Sequence, residues 1–249
     1  MSRPTWAFVV GTYRTGSTTQ HRIAAAIVES TNRGKDIGYH KESRLVENDE
    51  SPNQINVCKV FRYLPAESAT ARRFLAEGRI RVIGTVRDPR DIFVSMQERE
   101  RRGGRIAKFD ARERIETLLP LWFGWFDTWT SLPKETVYVS KFETMIVDLV
   151  AEALRIAAFL GVCLSRKDAM RITNPFKVPA QKATKEAYWK NRRKIEKKGE
   201  VAPREHPVLP SIPSVEFGTS GHWPIWLHPS QVKSIEKHCK DYMTRWGYA

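Results

Sequence analysis

Arg14, Lys59 and Arg87 each follow or interrupt a short apolar run, and a cation in that setting calls for an anionic partner. Arg14 lies in "VVGTYRTGSTT", residues 9–19, where Gly11 and Gly16 frame the spacing G-x-x-x-x-G and Ser17, Thr18 and Thr19 follow. A Walker A loop has Lys after its second glycine, then Ser or Thr. Here Ser17 takes the lysine's place, and the basic residue stands inside the loop as Arg14. Successive backbone N–H groups and the start of the next helix would still converge on one anion, which the helix dipole favours. The lysine that bridges the β- and γ-phosphates of ATP is missing, so the loop suits a phosphate-like group but not ATP.

Lys59 sits in "INVCKVF", residues 55–61, either snorkelling from a strand end or aimed at the same anion. Arg87 opens "RDPRDIFVSMQER", in which Asp88-Pro89 marks a helix start. Ser95 comes eight positions after Arg87, so both can face the C-terminal end of the preceding strand, where open α/β sheets bind ligands. The plainer alternative pairs Arg87 with Asp88 or Asp91. Two such sites on one edge suggest a ligand with two separate anionic groups. His40 and Glu42, in "GYHKES", are surface residues or members of the same site.

The elements that must position these residues follow from periodicity. Strands are expected at residues 6–10, 55–61, 81–86 and 137–140. Helices are expected at 17–29, with Ile23, Ala26 and Ile27 inward, at 66–77, from Pro89 onward, and over 109–132 with an interruption at Pro120. Two more are expected at 146–160, stopped by Gly161, and at 230–246, before Gly247. Residues 30–56 read as loops over the sheet edge. Trp122, Phe123, Trp125, Phe126 and Trp129 read as core. Alternating strands and helices predict an α/β chain, a three-layer P-loop-type fold with a central, mostly parallel sheet flanked by helices. Residues 1–249 form a single domain in this reading, with 174–215 as a basic, Pro-rich insertion or lid. Within it, 177–204 carry an exposed helix around 183–198, either a solvated face or a cover for an anionic ligand.

The 249 residues carry 42 Lys and Arg against 28 Asp and Glu, a net charge of +14. That balance fits a polyphosphorylated nucleotide, an anionic polymer, nucleic acid or a membrane surface, or else a merely solvated basic surface. Cys58, Cys163 and Cys239 are odd in number and far apart, which argues against a disulfide framework or zinc site and for a reducing compartment. No signal peptide or membrane anchor is evident, so the cytoplasm is the expected location.

Taken in order, "TYRTGSTT", "VRDPRDIFVS", "KFETM" with "IAAFLGV", and "SGHW" with "LHPSQVKSIEKHCKDYMTRWGY" resemble a PAPS-dependent sulfotransferase, PAPS being 3′-phosphoadenosine 5′-phosphosulfate. The resemblance implies roles position by position. Arg14 falls where the family has a Lys or Arg against the 5′-phosphosulfate, and Thr15, Gly16, Ser17 and Thr18, with Thr19 after them, fall on its phosphosulfate loop. Arg87 and Ser95 fall on the pair that holds the 3′-phosphate, and Lys59 on the strand lysine near the transferred group. Gly218, Thr219, Ser220 and Gly221 resemble the stretch that donates backbone to the 3′-phosphate. Phe142 stands where a Tyr is common, Thr19 where some members stack a Trp on adenine, and Phe61 where animal cytosolic enzymes place a histidine base.

The expected reaction is transfer of the sulfuryl group to a hydroxyl or amine acceptor, an acidic glycan or a small molecule, releasing PAP without a metal. A sulfuryl group carries less negative charge than a terminal phosphoryl, which agrees with a loop lacking the Walker lysine. Arg14 stays protonated and stabilises charge, whereas Lys59 can also donate a proton. His40 and Glu42 are the candidate bases, with Glu143 behind them. The alternatives are a catalytically silent PAP- or PAPS-binding relative, a nucleic-acid-binding protein, for which no motif is present, and an atypical P-loop kinase, which Ser17 disfavours.

Overall fold

The computed structural model describes residues 3–50, 54–102, 106–177 and 220–249. Five strands form one parallel sheet: β1 (Thr5–Gly11), β2 (Gly34–Tyr39), β3 (Ile55–Lys59), β4 (Ile80–Val86) and β5 (Val137–Lys141), in the order β2-β3-β1-β4-β5. All four pairings are parallel, so the described sheet is wholly rather than mostly so. β1 lies at its centre with every residue after Thr5 buried, as a near-continuous apolar run covered on both faces should be.

Alternation splits β1 between two cores. Trp6, Phe8 and Val10 join one with the aromatic residues Phe123, Phe126 and Trp129, while Ala7 and Val9 join the other with Ile23, Ala24 and Ile27 of α1 (Ser17–Ser30). Ala26, expected inward, only packs against the margin of that second core. Trp122 similarly borders the first core, and Trp125 lies under the Arg62 guanidinium at 5.3 Å.

The remaining helices are α2 (Glu42–Glu47), α3 (Leu64–Glu67), α4 (Ala69–Ala76), α5 (Pro89–Arg102), α6 (Ala111–Glu113), α7 (Leu119–Thr130), α8 (Phe142–Val147), α9 (Leu149–Phe159), α10 (Arg166–Thr173), α11 (Trp223–Trp226), α12 (Pro229–His238) and α13 (Lys240–Trp246). Residues 30–56 are therefore not all loop: they hold edge strand β2 and helix α2. The helix expected at 66–77 is two, because Ser68 is extended and its hydroxyl accepts from Ala71 N to begin α4. The stretch 146–160 is likewise divided, with Asp148 capping α9 through Ala151 N. Cys239 divides the closing helix into α12 and α13. Pro120 falls in the first turn of α7, directly after a π-helical turn over Arg114–Leu118. The expectations for 178–219, including the lid, the helix around 183–198, Gly218 and Thr219, lie outside the described residues.

Candidate active site

The anion loop is Thr12–Gly16, between β1 and α1. Arg14 at φ 71° and Gly16 at φ 86° both adopt left-handed backbone, the kind of turn that draws successive N–H groups into a concavity. Only glycine fits the second position: a Cβ there would stand 2.5 Å from Cδ2 of the Phe142 ring. Thr15 is buried, and its hydroxyl donates to Thr12 O at 2.9 Å to close the loop. Thr19 N and Gln20 N bond Gly16 O, and no side chain caps the donors ahead of them, so the first turn of α1 keeps N–H groups for a ligand.

Three cations stand at the ends of neighbouring strands or in the loop itself: Lys59 on β3, Arg87 after β4 and Arg14 after β1. Lys59 ends β3 opposite Val9, 1 % exposed, and its Nζ has no hydrogen-bond partner among the described residues. Burial, against weak support from Cys58, brings its pKa down to about 7. The Arg87 guanidinium is also buried, which brings its pKa down to about 10 despite Asp91 and Glu143 nearby. It lies 4.3 Å from the Phe142 ring centroid, and its Nη1 donates to Arg14 O at 3.0 Å. Arg14 Nε donates to Ser95 Oγ at 2.9 Å. Arg14, Arg87, Ser95 and Phe142 thus meet directly, linking the loop to the start of α5.

The plainer partners for Arg87 are occupied elsewhere. Asp88 holds Arg90 through both carboxylate oxygens. Asp91, one turn before Ser95, accepts from Ser220 Oγ, Gly221 N and Trp223 N at 2.9, 2.7 and 3.2 Å, and so pins the chain at 220–223 beside Arg87. Glu143 accepts from Asp88 N, Ser220 Oγ and Tyr248 OH. It is a structural hub on the Arg87 side. Tyr242 OH spans the Arg87 backbone, accepting from its N at 3.3 Å and lying 3.4 Å from its O.

His40 and Glu42 are placed differently from the cations. His40 follows β2, and its N donates to Lys59 O at 2.9 Å, which puts it on the same sheet edge. Its Nε2 is 3.9 Å from Glu42 Oε2. Against partial burial, hydrogen bonds from Ser68 and Thr70 hold the Glu42 carboxyl below its usual range, so this group serves the first turn of α4. Ser17, Thr18 and Thr19 occupy the first turn of α1, with Ser17 buried.

Sequence reasoning missed the polar cluster that sets α1 against the sheet. The Gln20 amide nitrogen lies within 3.1 Å of Gly84 O, Ser140 Oγ and Glu152 Oε1, and its oxygen accepts from Thr85. Tyr138 OH and Arg155 donate to the same fully buried Glu152. The available signal was Gln20 itself, a polar residue three and four positions before Ile23 and Ala24 on the buried stripe of α1. Asp91 was weighed as a partner of Arg87, but its hold on Ser220, Gly221 and Trp223 was not foreseen, although its spacing of four from both Arg87 and Ser95 was visible.

Among the described residues, no group of three His, Cys, Asp or Glu is placed to hold a metal ion, and no helix is long and apolar enough to cross a membrane. Comparison with known proteins bears on the whole chain. The family described as "Sulfotransferase domain" matches residues 4–247. No curated protein sequence matches. Among solved structures, a mouse sulfotransferase, SULT7A1, complexed with PAP, is similar at TM-score 0.67 and 17 % identity over 97 % of this chain and 86 % of that one. Retinol dehydratase complexed with androsterone and inactive cofactor PAP gives 0.60 and 18 % over 98 % and 82 %. The same enzyme with retinol and PAP gives 0.59 and 19 % over 98 % and 82 %. At these identities the structural likeness is one of fold.

Proposed function

The chain belongs to the sulfotransferase family, and from that membership we propose that it moves the sulfuryl group of PAPS to a hydroxyl-bearing small molecule and releases PAP. The observation that carries the cofactor assignment is Lys59: a buried amine whose Nζ has no hydrogen-bond partner among the described residues, at the edge where the anion loop opens. Burying a lone ammonium is costly, and an anion beside it removes the cost. The residues also fit two anionic ends. Arg14, Lys59 and the first turn of α1 would hold the 5′ end, and Arg87, Ser95 and the backbone at Ser220 and Gly221 the 3′-phosphate.

When bound, PAPS supplies the activated sulfuryl group. The chain then orients both partners and stabilises charge, which is most of what such a transfer needs. Arg14 remains a fixed positive charge. Lys59 holds a proton that it can pass to the departing phosphate oxygen. His40 is the proposed base, since its backbone is tied to Lys59 while Glu42 is committed to α4. Arg87 enters the 3′ site already ordered by Phe142, Arg14 O and Tyr242.

Retinol and androsterone in the solved neighbours each carry an oxygen function on an apolar body, which supports a small-molecule acceptor here. Three free cysteines, Cys58 and Cys239 buried and Cys163 exposed, support a reducing, cytoplasmic setting. Calorimetry with PAP, AMP and ATP, with and without magnesium, together with turnover of labelled PAPS, tests the assignment. PAP should bind far more tightly than AMP, with no need for magnesium. Equal affinities, or magnesium-dependent ATP binding, would refute it.

A further inference from the structure

Arg99 is a fourth cation beside this site, and neither anionic end of PAPS is assigned to it. It lies on α5 one turn beyond Ser95, and residues four apart on a helix share a face. The same spacing runs back from Ser95 through Asp91 to Arg87. This row starts at the pocket read as the 3′ site and reaches Arg14 where its Nε bonds Ser95. Arg99 is the next position along it, roughly 6 Å further by the helical rise. Its side chain is half-buried, and the guanidinium rests over the Tyr13 ring, 4.9 Å from the centroid. Tyr13 belongs to the anion loop. Its ring also lies 6.0 Å from Arg14 Cζ and tilts against Trp122 of α7 at 5.5 Å. Two guanidinium groups therefore share one aromatic ring. Among the described residues no carboxylate pairs with Arg99, and adjacent Glu98 is taken by Arg101.

Resting on the sulfuryl-transfer reading above, we infer that Arg99, held on Tyr13, selects the acceptor, and that the preferred acceptor is a small hydroxyl compound carrying a carboxylate. The order along α5 gives the placement. The 3′-phosphate belongs at Arg87, the transferring group at Arg14, and the acceptor beyond it at Arg99. A second cation gathered on the same ring is repelled by the first, and an anion held there relieves the repulsion. The guanidinium fork takes a carboxylate through two parallel hydrogen bonds, and the ring beneath it fixes the plane of the fork. The placement also sets a spacing: the carboxylate stands about one helical turn, roughly 6 Å, from the hydroxyl that receives the sulfuryl group. A neutral acceptor of the same shape leaves Arg99 unpaired, so the selection is one of charge and position.

The probes are trans-4-hydroxycyclohexanecarboxylate and its carboxamide, matched in shape and different in charge. Both are assayed with labelled PAPS and titrated at equilibrium by NMR, with and without PAP. The wild type should favour the acid about 5- to 50-fold in kcat/KM and in affinity, as a charge-assisted pair at a half-buried site should give, and the preference should shrink as salt is raised. Arg99→Gln should erase the preference by raising KM for the acid, with kcat little changed and PAP affinity retained. Arg99→Lys should keep part of it, having the charge without the fork. Arg99→Glu should turn the preference toward trans-4-(aminomethyl)cyclohexanol, a reversal that a merely structural arginine would not produce. Equal handling of acid and amide by the wild type, or an unchanged preference in Arg99→Gln, would overturn the inference. Failure of the wild type to bind PAP would instead overturn the cofactor assignment, and the equilibrium titrations decide the role of Arg99 with or without turnover.

Discussion

Binding of PAP should draw a proton from solution, and the amount is set by Lys59. Burial alone brings this amine to a pKa of about 7. At pH 8 the ligand-free site is then protonated about 0.1 of the time, by the ordinary titration relation. A phosphate placed beside the amine favours its charged form and raises the pKa back toward the ordinary lysine range. The bound site is then almost fully protonated at pH 8, so binding takes up about 0.9 proton. At pH 6 the free amine is already mostly charged, and its share of the uptake falls to about 0.1 by the same relation. Calorimetry in two buffers of different ionisation enthalpy reads this directly. Lys59→Met should abolish the uptake at pH 8 while leaving the Arg87 end of the ligand bound. The same shift has a consequence for stability: the folded pKa is depressed, so between about 7 and 10.5 the unfolded chain holds the extra proton. Stability of the ligand-free protein should therefore rise with pH across that window, and the PAP complex should lose the rise. Uptake near zero at pH 8, or uptake that survives in Lys59→Met, would refute the reasoning.

Arg87→Ala should weaken PAP by about 10- to 150-fold, the value of one charge-assisted hydrogen bond of roughly 1.5–3 kcal/mol, and barely change AMP, which has no 3′-phosphate. Parallel losses of both nucleotides, measured by calorimetry, would remove the 3′ role. Gly16→Ala should lower the melting temperature and PAP affinity together, because its Cβ meets the Phe142 ring at 2.5 Å and the backbone is left-handed; adding Phe142→Ala should recover part of the stability. Gln20→Met should cost about 2–4 kcal/mol in urea unfolding, since the buried Glu152, Thr85 and Ser140 lose a shared partner. Asp91→Ala should weaken PAP more than AMP by freeing 220–223, with kcat following the PAP occupancy in assays at limiting PAPS.

Residues with one strong local signal were legible in the chain. The apolar runs of β1, β3 and β4, the glycine-framed loop and the Pro89 helix start are local facts, and they place Arg14, Lys59 and Arg87 on one edge. β2 was not legible, because "GKDIGY" buries only Ile37 and lies at the sheet margin, where exposure removes the alternating pattern. Its first glycine is required by a contact made across the sheet: a Cβ on Gly34 would lie 2.1 Å from Ile55 O. The helix breaks at Ser68 and Asp148 were overlooked although both are cap residues, since the apolar spacing continues through them. Glu42 was picked as a candidate base by residue type and neighbourhood alone. Its commitment to Ser68 and Thr70 is a tertiary fact that no spacing in "GYHKES" records. The link from Arg14 to Ser95 is likewise invisible along the chain, being 81 residues long.

The backbone of Arg87 is clasped by Tyr242, 155 positions downstream, and Asp91 is met by Gly221, 130 downstream. A growing polypeptide can pair β1 with β3 and β4 and close the glycine loop long before those partners exist. It cannot immobilise the second anion pocket until α13 has emerged and docked. Closing so long a loop is entropically slow, and the contacts that reward it arrive last. Nucleotide capture should thus mark the final stage of folding. Refolding followed by PAP binding should lag behind refolding followed by backbone signal, with the delay belonging to the docking of this distant segment.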